Sequence, residues 1–211
     1  MTHHHAHGWE ASYDAVAFTV DALQAHPSDH ALARLATRIG GLLEDWESID
    51  AAGRGLRRAA LRSSAQCRAA DGSLDAALGA FATALLAHVG GDTGASLYQK
   101  FFNEPHEDII AMGLDSEVPL VTLVVSLLDS LPELTDALKA HTAPLRDALR
   151  LANGALANRS DALADLGRHG ARVEAWQETA HSSLGSTRKA LGRLAHERKL
   201  PEHWVASFFH G

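Results

Sequence analysis

From Leu32 to Cys67 the chain repeats one spacing, three and four residues in alternation: Leu32, Leu35, Ile39, Leu42, Trp46, Ile49, Gly53, Leu56, Ala60, Ser63 and Cys67. Three and four residues bracket the helical turn, so these side chains fall on one stripe of an α-helix and form a heptad seam. Pro27-Ser28-Asp29 precedes the seam with a stop, a capping oxygen and a negative charge, and Asp71-Gly72 follows it as a break. The spacing predicts a helix over residues 29–70. Its weak point is Gly53-Arg54-Gly55, where each glycine costs a helix interior about 1 kcal/mol relative to alanine, so an unbroken helix and a kink are the two alternatives.

The same rhythm predicts further helices on either side. Ser12 to Ala25 carries Val16, Phe18, Val20 and Leu23 and stops at His26-Pro27; Ser73 opens a helix with Leu74, Leu78, Phe81, Leu85 and His88 that Gly90-Gly91 ends. Leu97 to Phe102 reads as a short apolar helix, and Asn103 to Ser116 as a connector with a small helix at Ile109 and Ile110. Val118 to Leu131 is almost wholly apolar, which predicts a helix surrounded by protein, with Pro119 in its first turn. Ser130-Leu131-Pro132-Glu133 has the form of a capping box. From it a seam runs through Leu134, Leu138, Leu145, Leu149 and on to Leu191 and Leu194, kinked ahead of Pro144 and turning at Asn158-Arg159-Ser160 or between Gly167 and Gly170. Pro201 opens a last short helix bearing Trp204, Val205, Phe208 and Phe209.

The second half answers the first. Gly8, Val16 and Val20 meet Gly113, Val121 and Val125 at an offset of 105, Leu32 and Ile39 meet Leu138 and Leu145 one residue later, and the two Phe-Phe pairs fall at matching ends. The expected fold is therefore an all-α antiparallel bundle of long amphipathic helices, internally duplicated with a pseudo-two-fold relation. Its parts would be a His-rich tail over 1–7, repeats over 8–104 and 113–211, and a connector over 105–112. A period near 105 exceeds the 20–50 residues of solenoid repeats, so the repeats would be like bundles or one shared bundle.

Composition agrees with helix packing. Hydrophobic residues make up 46% but aromatics only 6%, leaving Ala and Leu to fill the seams. The net charge of −7 opposes nucleic acid and anionic lipid, and the longest apolar run falls short of the roughly 20 residues of a membrane span. The first residues have no signal-peptide form, so the expected location is cytoplasmic. The single Cys67 excludes an intramolecular disulfide and reads as a small core residue.

Candidate chemistry is sparse. His3 or His4, at the third position of the chain with or without Met1, could join the amine and two amides in a square-planar Cu(II) or Ni(II) set. Glu178-Thr179-Ala180-His181 has the Glu-x-x-His form of di-metal bundles but lacks its partners. His88 and His141 fall on apolar faces; His169, His181, His196 and His203 read as solvent-facing. Arg54, Arg58 and Arg62 form an i, i+4 row that could meet phosphate, although its place late in the expected helix suits the helix dipole as well. In the pairs Phe101-Phe102 and Phe208-Phe209, adjacent rings on one helix point about 100° apart, so one can enter its own bundle while the other faces outward or the space between repeats, and the four rings would either plug the ends of a shared core or form matched partner-binding patches. No phosphate loop, nucleophile elbow, HExxH or triad is present, and no cofactor is implied. These observations favour a non-catalytic interaction or scaffold protein with a protein partner, self-association included. The alternative is a binding protein that holds a small apolar ligand or a metal ion between helices.

Overall fold

The computed structural model describes residues 8–201 and 203–209. The His3 and His4 expectation lies outside them. Among the described residues there is no strand, and the helices are α1 (Gly8–Gln24), α2 (His30–His88), α3 (Ser96–Phe101), α4 (His106–Ile110), α5 (Leu114–Ser130), α6 (Asp136–Lys139), α7 (Thr142–Arg198) and α8 (His203–Ala206). No helix among these residues is long and apolar enough to cross a membrane.

Two helices are far longer than the sequence pattern predicts. α2 breaks neither at Gly53-Gly55 nor at Asp71-Gly72; it runs on through the segment expected to be a separate helix. Beyond Cys67 the three-and-four spacing continues through Ala70, Leu74, Leu78, Phe81 and Leu85, all buried, and their burial outweighs the cost of one exposed glycine. α7 likewise passes both expected turning sites. The expected kink ahead of Pro144 is instead a true break, because α6 ends at Lys139 and Pro144 lies in the first turn of α7, where its missing N–H costs nothing. Nor does the capping box at Ser130 open a helix: Leu131 has extended backbone and α5 ends there.

The chain forms two compact units, one of Met1–Leu56 with Asp165–Gly211, the other of Arg57–Ala164. In unit 1, Val16, Val20 and Leu23 of α1 share a core with Leu32, Ile39 and Leu42 of α2, Ala180 and Leu191 of α7, and Phe208. Trp46 lies between Trp9 and Trp176, with ring centroids 4.6 Å from each, and Trp176 Nε1 donates to the Leu42 carbonyl at 2.9 Å. Asp29 accepts the Ala31 backbone N–H at 3.0 Å, capping α2, and pairs with Arg198. The Arg198 guanidinium holds the Asp29 carboxyl well below the usual carboxylate range. Gly53 has a packing reason: a Cβ there would stand 2.5 Å from Nε2 of His169. His169 is thus half-buried against α2 rather than solvent-facing.

In unit 2, Leu74, Leu78, Phe81 and Leu85 of α2 pack with Val121, Val124 and Leu128 of α5 and Leu145 and Ala152 of α7. Cys67 is buried, its thiol donating to the Ala155 carbonyl at 3.4 Å. α5 is not surrounded by protein as its composition suggests: Leu123 is 57% exposed and Leu120 36%. His88 is exposed rather than in the core, while His141 is half-buried beside Phe81, 6.0 Å between centroids.

Candidate metal centre

Three acidic side chains of unit 2 converge where the sequence had suggested a turn. Asp71 and Asp75 are four residues apart on α2 and so share a face, and Glu117 comes from the first turn of α5. One carboxylate oxygen from each lies within 4.8 Å of the other two. Asp71 and Asp75 are half-buried, whereas Glu117 is 0% exposed. Oδ1 of Asp71, Oδ1 of Asp75 and both Glu117 oxygens are buried without a hydrogen-bond donor.

Local sequence explains why Glu117 is trapped. Leu114, Val118, Val121 and Leu128 form the buried stripe of α5, and position 117 falls inside that stripe. Burial first, then the Asp75 charge and a hydrogen bond with Asp75, then the Asp71 charge, push the Glu117 carboxyl up to about 8. Burial also raises Asp75, a hydrogen bond from Glu117 opposing it. That bond requires a proton on one of the two carboxyls. Once both ionise, no hydrogen-bond donor meets either Glu117 oxygen, and its charge stands beside those of Asp75 and Asp71.

A cation would offset it. Two oxygens bound to one Mg²⁺, Mn²⁺ or Ca²⁺ ion are separated by no more than about 4–5 Å, twice the metal–oxygen distance, and the three donors lie within 4.8 Å of one another. The set contains only carboxylate oxygen, the chemistry of hard cations rather than of zinc or copper.

Beside the cluster lies a cavity of about 450 Å³, with Asp71, Arg68 and Arg159 among its lining residues and the start of α5, Gly113 to Ser116, forming part of its wall. Arg159 donates to both carboxylate oxygens of Asp115 at 2.6 Å. A second cavity, about 250 Å³ and mainly apolar, lies among Leu78, Phe101, Ile109, Met112, Leu120 and Val124.

The side chains singled out from the sequence do not come together. Arg54 pairs with Asp50 within α2, and Arg58 and Arg62 are exposed. Phe101 and Phe102 are both buried, contrary to the expectation of one ring outward: α3 ends at Phe101, and the extended backbone of Phe102 turns its ring inward, 5.3 Å from Tyr98 and 6.0 Å from Phe81. Phe208 is buried while Phe209 is half-buried beneath Arg188, 4.5 Å from the ring centroid. His181 of the Glu-x-x-His segment is exposed and contacts Ser12 at 3.3 Å. Asp71, Asp75 and Glu117 were missed, although an acid inside the apolar stripe of α5 was a readable signal. No family model, curated protein or solved structure matches this chain.

Proposed function

We propose that this protein is a helical binding protein, built as a duplicated antiparallel bundle, that holds a hard divalent cation between α2 and α5. The observation that carries the reading is Glu117, wholly buried, with no partner for its oxygens beyond a proton shared with Asp75 and with two further carboxylates within 4.8 Å.

The duplication strengthens it. The buried positions Ser12, Val16, Thr19, Val20 and Leu23 of α1 correspond, 105 residues on, to the buried Glu117, Val121, Val124, Val125 and Leu128 of α5. At 106, the buried Leu32, Ile39, Trp46, Leu74 and Leu85 of α2 correspond to the buried Leu138, Leu145, Ala152, Ala180 and Leu191. The paired contacts of the long helices support the antiparallel sense, since Asp29 meets Arg198, Leu42 meets Trp176, and Gly53 meets His169. By the same offsets Glu117 and Asp75 answer to Ser12 and His181, which contact each other at 3.3 Å. Equivalent packing is therefore satisfied in unit 1 by a neutral serine and a histidine. Packing alone does not demand carboxylates, which favours a ligand as the reason for them.

The interaction-module reading stands second, favoured by the exposed Leu120 and Leu123 beside the apolar cavity. Melting temperature in EDTA and in Mn²⁺, Mg²⁺ or Ca²⁺ separates the two. A cation at a hundred times its Kd stabilises by about 2.7 kcal/mol, so the cation reading expects a rise for the parent chain and none for Glu117→Gln. Equal melting with and without every ion would defeat it.

A further inference from the structure

The carboxylate cluster is sealed on one side and reached from the other. Glu117 is wholly buried, while Asp71 also lines the 450 Å³ cavity. Three carboxylates, each giving one oxygen, would occupy half of a six-coordinate shell and leave the rest for water or ligand oxygen.

The cavity supplies what an anion needs. Arg68 and Arg159 line it, with the hydroxyl-bearing Ser64 and Ser116. Arg68 has no carboxylate partner among the described residues, and Arg159 is fixed in place by its two bonds to Asp115. Gly113 precedes and Leu114 to Ser116 open α5, a helix of 17 residues whose N-terminus has no side-chain cap; the Ser116 and Glu117 N–H groups donate to the Gly113 carbonyl, and such a terminus offers the N–H groups ahead of them and the positive end of the helix dipole.

Resting on the cation reading above, we propose that this cavity binds an oxyanion, a phosphorylated or carboxylated small molecule, one oxygen of which completes the shell of the cation held by Asp71, Asp75 and Glu117. Charge sets the order of binding. Without the cation, Asp71, Asp75 and Asp115 outweigh Arg68 and Arg159 even while Glu117 keeps its proton, and they repel an anion. With a divalent ion in place and Glu117 ionised against it, the two sides balance, and the cavity accepts one. Cation first and anion second is therefore obligatory.

The test is calorimetric titration of the full chain with inorganic phosphate and, separately, with acetate, after loading with Mn²⁺ and again in EDTA. Binding of phosphate to the Mn²⁺-loaded chain alone, weakened about tenfold by Arg68→Gln through loss of a charge-assisted bond while Mn²⁺ is still taken up, is the expected result. Acetate binding in place of phosphate would support the same site with a carboxylate ligand. If Mn²⁺ binds and neither anion follows, the oxyanion proposal is overturned and the cation reading survives. Phosphate binding equally well in EDTA, or undiminished by Arg68→Gln, would also overturn the proposal. Failure of Mn²⁺ itself to bind would overturn both.

Discussion

Replacing Glu117 by glutamine should make the metal-free protein more stable, by an amount that depends on pH. The substitution keeps the shape of the side chain, removes its charge, and gives the amide two N–H groups beside Asp71 and Asp75, where the parent offers no donor once Glu117 has ionised. Glu117 is raised from 4.5 to about 8 in the folded chain. Between those values the folded state keeps a proton that the unfolded state has lost, so parent stability falls as pH rises through the window, and the loss is complete above about 8. At about 1.4 kcal/mol per pH unit the shift sets a ceiling of roughly 5 kcal/mol; local relaxation and water entry bring the expected difference to on the order of 2–4 kcal/mol. Urea denaturation of both proteins in EDTA at pH 5 and pH 9 reads this directly, and histidines common to both cancel in the comparison at each pH. The variant should gain at pH 9 and show little difference at pH 5. A variant no more stable than the parent at pH 9 would show that Glu117 is not held there at a cost.

Other substitutions probe the packing. Phe102→Ala removes a ring that is 2% exposed and should cost about 3–5 kcal/mol, whereas Phe209→Ala, half-buried under Arg188, should cost about 1 kcal/mol; denaturant midpoints in the reverse order would contradict the described burial. Gly55→Ala, where a Cβ meets nothing within 4 Å, should stabilise by roughly 0.5–1 kcal/mol if α2 is continuous there. Gly53→Ala should lose that gain against His169, and equal melting temperatures for the two variants would argue against the close approach of α7.

The seam from Leu32 to Ile49 was legible because one apolar face at helical spacing has one reading. Asp71-Gly72 misled for the opposite reason: the dipeptide favours turns locally, but Ala70, Leu74, Leu78 and Phe81 keep the seam in phase across it, and their burial decides the backbone. Asn158-Arg159-Ser160 and Gly167 to Gly170 misled in the same way. The site was half visible. Asp71 and Asp75 four apart on a helix, and Glu117 among Leu114, Val118 and Val121, are facts of the sequence. Their meeting depends on α5 packing against residues 70–78 of α2, a long-range contact that periodicity does not encode. Phe102 was misplaced because adjacent rings were assigned to one helix, and α3 ends between them.

A cation held by the three carboxylates would show in anomalous diffraction from crystals grown in Mn²⁺. The expected result is a manganese peak about 2.0–2.6 Å from carboxylate oxygens of Asp71, Asp75 and Glu117, lost in Glu117→Gln. Crystals at saturating Mn²⁺ with no peak there, and the Glu117 carboxyl hydrogen-bonded to Asp75 instead, would contradict it.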